Sequence, residues 1–101
     1  MELRTTLDDR RRAGEIVRAV LEARLAACGQ IVGPVESAYW WKRAIEEAQE
    51  WSLVFRTTAV LAPKLRDFII ERHPYEVPEV VVFEIAETSD EYGEWISHET
   101  K

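Results

Sequence analysis

Apolar residues recur along this chain with two different periods, and the switches between them mark out its elements. Leu3 to Thr6 reads as a short strand. Ala13, Ile16, Val17, Val20 and Leu21 then return at intervals of three and four, with Glu15, Arg18 and Glu22 on the opposite side, which is the period of an amphipathic helix. Asp8 and Asp9 offer cap oxygens and favourable charge at its start. The small-residue patch Ala26-Ala27-Cys28-Gly29 is expected to end it near Ala27, with Gly29 as the left-handed stop. From Ile31 to Trp41 β-branched and aromatic residues take over. Pro34 removes a ladder donor, so this segment is expected to be an edge strand or to carry a bulge. After a lapse over residues 42–48, Trp51, Leu53 and Phe55 alternate with Ser52, Val54 and Arg56, and two long strands joined by a charged turn make a hairpin. Leu61, Leu65, Phe68 and Ile69 predict a second helix, with Pro63 tolerated in its first turn. Val80 to Ile85 reads as a strand apolar on both faces. Ser89-Asp90 then caps a short helix carrying Tyr92, Trp95 and Ile96 at i, i+3 and i+4.

The order strand, helix, strand, strand, helix, strand, plus a terminal helix, predicts an α+β fold. Right-handed crossovers in two split β-α-β units give a ferredoxin-like sandwich with sheet order 4-1-3-2. The second and fourth strands are then edges. Val80-Val81-Val82-Phe83 has no lysine or proline to blunt its edge, so pairing with another copy of the chain is expected. Tyr39-Trp40-Trp41 adds to this expectation, because it puts large aromatics on both faces of a strand while one layer of helices covers only one face.

With 101 residues and 47% hydrophobic content, one domain over residues 1–101 is expected. A net charge of −6 argues against nucleic acid, which is bound through clustered Lys and Arg. The only basic run, Arg10-Arg11-Arg12, is bracketed by Asp8, Asp9 and Glu15 and suits a solvated helix start. No apolar run is long enough for a membrane span, and Met1-Glu2-Leu3-Arg4 has no apolar leader character, so a cytoplasmic protein is expected. The single Cys28 has no partner for an internal disulfide, and no zinc spacing is present.

Chemistry is concentrated in His73-Pro74-Tyr75-Glu76-Val77-Pro78-Glu79. Each proline fixes its own φ and biases the preceding residue toward extended geometry, so the segment presents its polar groups rigidly. His73 is a candidate metal ligand or proton carrier, set against its reading as a helix-closing residue that bonds free carbonyls. Glu46, Glu47, Glu50, Glu76 and Glu79 could supply oxygen ligands to a hard cation, or simply be solvated. Arg56 could bind an anion or pair with Glu50 or with a carboxylate of another strand. Trp40, Trp41 and Trp51 suit stacking or interface packing. No serine lies in a nucleophile motif and no glycine-rich phosphate loop exists, so no enzymatic activity is expected.

Several motifs together resemble one family. Arg24-Leu25-Ala26-Ala27-Cys28, Ser37-Ala38-Tyr39-Trp40-Trp41, Arg56-Thr57-Thr58, His73-Pro74-Tyr75-Glu76-Val77-Pro78-Glu79 and Tyr92-x-x-Trp95 resemble, in order and over almost the whole chain, the CutA divalent-cation tolerance proteins. The resemblance implies a homotrimer linked to copper and other divalent cations, with a weak metal or small-ligand site in clefts between subunits. It places Trp40, Glu50, Arg56, His73, Tyr75 and Glu79 at that cleft, with His73 as a metal ligand. The alternative it allows is a structural, protein-interaction or signalling trimer, similar to the PII proteins, with no metal role. Arg4 and Arg72 stand where some members carry proposed copper ligands, so only His73 carries over. Arg43 replaces the usual turn glycine, and a different hairpin turn is expected there.

Overall fold

The computed structural model describes residues 1–101. β1 (Glu2–Leu7) is followed by α1 (Arg10–Glu22), the hairpin strands β2 (Cys28–Trp41) and β3 (Ala44–Arg56), α2 (Ala62–Arg72), β4 (Val80–Phe83) and α3 (Asp90–Glu99). The sheet runs β2-β3-β1-β4 with every neighbouring pair antiparallel, which is the expected ferredoxin-like order read from its other edge.

Strand alternation builds the core. Leu3 and Leu7 of β1 and Leu53 and Phe55 of β3 meet Ala13, Ile16 and Val20 of α1 and Leu65 and Ile69 of α2, all of them buried. Each fully buried large side chain contributes about 1.5–3 kcal/mol relative to exposure. Thr5 occupies the same alternating set and is fully buried, and its hydroxyl has no hydrogen-bond partner.

Both helix starts marked by acid or hydroxyl residues form as expected. Asp9 accepts from the Arg12 amide at 3.0 Å, and Ser89 accepts from the Tyr92 amide at 3.3 Å. The end of α1 differs from expectation. The helix stops at Glu22, and the left-handed residue is Arg24 (φ 59°), not Gly29. Strand pairing is the reason, since the Ala27 amide already donates to the Arg56 carbonyl at 2.9 Å and draws the following residues into β2. Cys28 therefore opens a strand and does not close a helix. Gly29 is needed for space, because a Cβ there would lie 2.9 Å from both the Phe55 ring and a Val17 methyl.

The hairpin positions the candidate site. Pairing of β2 with β3 shifts register between Val32 and Val35, the bulge expected at Gly33-Pro34, whose peptide bond is cis. Beyond it, β1 reaches along β3 only as far as Trp51, so residues 44–50 of β3 pair with β2 alone. The result is a free two-stranded ribbon, and the molecule is 45 Å long. Lys42 and Arg43 form its turn with φ of 49° and 70°, so Arg43 keeps the positive-φ turn that was expected to change. β4 is shorter than expected, ending at Phe83, and its outer edge leaves Val81, Val82 and Phe83 exposed.

Candidate functional site

Pro74 disfavours helical geometry at His73, and α2 ends there with His73 extended (φ −73°, ψ 136°). The chain turns, and the imidazole faces β1. His73 Nε2 lies 2.8 Å from the Thr6 carbonyl, and Nδ1 accepts the Tyr75 amide at 3.1 Å. An amide must donate and a carbonyl must accept, so the proton sits on Nε2 and the ring is neutral. Burial lowers the ring's pKa, opposed in part by the Thr6 hydrogen bond and by the charges of Glu50 and Asp8. His73 therefore ties its own turn to β1. The carbonyl it bonds is a strand's, where helix-end carbonyls were expected.

This tie aims Tyr75. Its ring meets the imidazole edge-on, with centroids 4.8 Å apart, and its hydroxyl donates to Glu50 Oε2 at 2.6 Å. That length is typical of a charge-assisted bond to a carboxylate. Burial and the Glu50 carboxylate together push the phenol's pKa far up, so it stays protonated. Glu50 lies just past the end of β1 and is only 4% exposed.

Tyr75 and Glu50 form part of the wall of a cavity of about 780 Å³. Thr6 and Asp8 contribute from the end of β1 and its following turn. Glu36, Ser37, Ala38, Tyr39 and Trp41 come from the β2 side of the ribbon, and Glu76, Val77 and Glu79 from the proline-bounded turn. The wall carries five carboxylates and no basic group.

Of the expected site residues, the structure brings Glu50, Tyr75 and Glu79 together on this wall, with His73 bracing it. Trp40 is 71% exposed on the ribbon, opposite Ile45, while its neighbour Trp41 faces the cavity by strand alternation. Arg56 is elsewhere. It lies six residues along β3 from Glu50, about 20 Å at strand rise, and its Nη2 pairs with Glu2 Oε1 at 2.9 Å. Glu2 also takes Arg4 at 2.6 Å. Burial opposes the charged form of Glu2, but the hydrogen bonds from Arg4 and Arg56 outweigh it and hold its pKa low. Pairing with another strand's carboxylate was one expectation for Arg56, and that carboxylate is Glu2, not Glu50. Tyr92 and Cys28 complete this second cluster, with Tyr92 Oη 3.5 Å from Arg56 Nη1 and 3.7 Å from Cys28 Sγ.

Asp8 and Glu36 belong to the cavity and were not foreseen there. Asp8 was taken up in the expected helix cap, and Glu36 sits on a ribbon whose curvature follows from the bulge. Glu46 and Glu47, candidates for an oxygen-ligand set, are exposed on the ribbon and do not line the cavity.

A tight metal centre does not fit these residues. Both His73 nitrogens are engaged, so a metal on the ring must displace one of its hydrogen bonds. No three Asp, Glu, His or Cys side chains are grouped closely enough to hold an ion. Arg4 stacks over Phe83 at 4.9 Å, and Arg72 stacks over Phe68 at 3.5 Å.

The fold and site define a ferredoxin-like domain with a long free ribbon and an acidic cavity at its base. A family model described as CutA1 divalent ion tolerance protein matches residues 2–99, and the chain belongs to that family. It is 42% identical over 88 residues to the divalent-cation tolerance protein CutA of Thermus thermophilus, covering 87% of this chain and 85% of that protein. It is 40% identical over 89 residues to the human protein CutA, covering 88% of this chain and 50% of that protein. The chain thus spans about half the length of the human relative. Among solved structures, CutA1 of Pyrococcus horikoshii superposes with a TM-score of 0.93 at 31% identity, covering 99% of this chain and 97% of that one. Membership of this family carries the reading of a non-catalytic protein.

Proposed function

We propose that the chain works as a homotrimer that contributes to divalent-cation tolerance, with a small ligand or a weakly held divalent cation such as copper taken up at clefts between subunits. The observation that carries this is the position of the acidic cavity. Tyr39 and Trp41 belong both to its wall and to the ribbon, whose β3 edge has no outer neighbour over residues 44–50. A neighbouring subunit that pairs with that edge lies beside the cavity and closes a cleft. The open edge of β4, with Val81, Val82 and Phe83 exposed, supplies a second apolar strand for pairing. No helix of the chain is long and apolar enough to cross a membrane. The proposal places the protein in the cytosol, where the free thiol of Cys28 stays reduced.

Cation binding in this proposal is weak, because the carboxylates do not converge and the imidazole is occupied. Titration with Cu²⁺ tests it. Shallow binding that weakens further in Glu79→Gln is expected, and a tight stoichiometric endpoint lost in His73→Ala contradicts it. A structural or signalling trimer with no metal role is favoured if Cu²⁺ leaves the thermal midpoint unchanged, since only a ligand that prefers the folded state raises it.

A further inference from the structure

We infer that His73 is a proton-operated latch, whose neutral ring holds the turn over residues 74–79 closed and whose protonation releases Tyr75 from Glu50. The inference rests on hydrogen bonds made within one chain, and neither the ligand nor the assembly proposed above enters it.

The two bonds of the ring make opposite demands on it. Nε2 must carry a proton to donate to the Thr6 carbonyl at 2.8 Å, and Nδ1 must lack one to accept the Tyr75 amide at 3.1 Å. Only the neutral tautomer with its proton on Nε2 meets both. The imidazolium carries a proton on each nitrogen, so its Nδ1–H points at the Tyr75 N–H and two donors face each other. A hydroxyl could rotate out of such a conflict, but the peptide plane fixes the direction of an amide hydrogen.

The surroundings decide which bond gives way. The Thr6 carbonyl accepts from the charged ring as readily as from the neutral one, and a charged donor strengthens that bond. Thr6 lies on β1, which is held between β3 and β4, whereas Tyr75 belongs to no helix or strand. The ring therefore stays on β1, and the Tyr75 amide moves away from it. The same residue carries the hydroxyl that donates to Glu50 Oε2 at 2.6 Å, so the shift of the turn takes that bond with it.

Charged groups on three elements face the ring and set where the latch works. Burial disfavours the imidazolium most, the Thr6 bond and the charges of Glu50 on β3 and Asp8 after β1 favour it, and Arg12 on α1 disfavours it. The balance holds the closed form's pKa below the ordinary value of 6.5. Tyr75, the remaining titratable group against the ring, stays protonated. A released ring escapes the burial, so the open form takes up one proton more than the closed form. It gains on the closed form by up to about tenfold for each pH unit below the ordinary histidine value, until the closed form is itself protonated.

Nuclear magnetic resonance of the full chain, titrated from about pH 8 down to about pH 4 so as to bracket histidine, tests this. At the alkaline end the ring nitrogens of His73 should report the tautomer protonated on Nε2. As the ring takes up its second proton, the Tyr75 amide and ring signals should move with the same midpoint, below the ordinary histidine value. The Leu53 and Phe55 amides on β3 should keep their native positions through that transition. In His73→Gln, the Tyr75 signals should show no such transition, which separates the latch from titration of Glu50 or Asp8. Four results on the parent chain overturn the inference. They are a ring protonated on Nδ1 at the alkaline end, a ring that stays neutral throughout, a ring that titrates while the Tyr75 signals stay in place, and loss of the Leu53 and Phe55 signals at the same midpoint. The last would make protonation a step of global unfolding and nothing more local.

Discussion

Replacing Tyr75 with phenylalanine removes one oxygen and leaves the ring packed against His73, so it isolates the bond to Glu50. That bond is 2.6 Å long and joins a phenol to a carboxylate that is 4% exposed. Hydrogen bonds to charged groups contribute about 1.5–3 kcal/mol net, against about 0.5–1.5 kcal/mol for neutral ones. Tyr75→Phe also leaves Glu50 with no hydrogen-bond partner, which places the expected loss near the upper part of that range, at about 2–3 kcal/mol. In a Glu50→Gln background the acceptor is neutral, and the same substitution should cost about 1 kcal/mol. The difference, roughly 1–2 kcal/mol, is the coupling between the hydroxyl and the charge. Urea denaturation of the four proteins at pH 7 and one fixed protein concentration measures it. Equal costs in the two backgrounds, or a loss in the parent below about 0.5 kcal/mol, would refute the claim that Tyr75 holds a charged Glu50.

Three further outcomes follow from other parts of the fold. Thr5→Val should stabilise the protein by about 1 kcal/mol or more, because the buried hydroxyl has no partner and a methyl group needs none; a lower melting midpoint would contradict this. His73 has a pKa below its ordinary value of 6.5 in the folded chain, so the unfolded chain takes up the proton first. Its stability contribution is complete above that value and is lost as pH falls through it toward the folded pKa, and the difference in stability between parent and His73→Gln should shrink over that window. Arg43→Gly should raise stability by up to about 1 kcal/mol by relieving a side chain held at φ 70°, provided the turn is otherwise unchanged; a destabilised hairpin would show that Arg43 makes a contact worth more than its strain.

The elements were legible because hydrophobic period and punctuation agreed. Val20 and Ile69 lie on the helical stripes that their spacing announces, and Leu53 and Phe55 on the strand face that theirs does. What escaped was set by pairing. The end of α1 depends on the Ala27 amide meeting Arg56, a contact 29 residues away that no local signal encodes. The candidate site was half legible. Glu50, Tyr75 and Glu79 were singled out from residue type and from rigid prolines, yet Arg56 was grouped with them although strand rise carries it to the other end of β3. Trp40 points to solvent where its neighbour Trp41 faces inward, because a one-residue step on a strand reverses the side and the bulge at Gly33-Pro34 sets which side is which. Asp8 could have been found from its position one residue after the strand that His73 grips.

A crystal structure of the assembled protein bears most directly on the proposed function. The account predicts three copies with each free ribbon pairing along its β3 edge with a neighbouring subunit, and the cavity lined by Glu50, Tyr75 and Glu79 lying at the junction. A monomer, or a trimer in which that cavity faces open solvent away from every subunit contact, would contradict it.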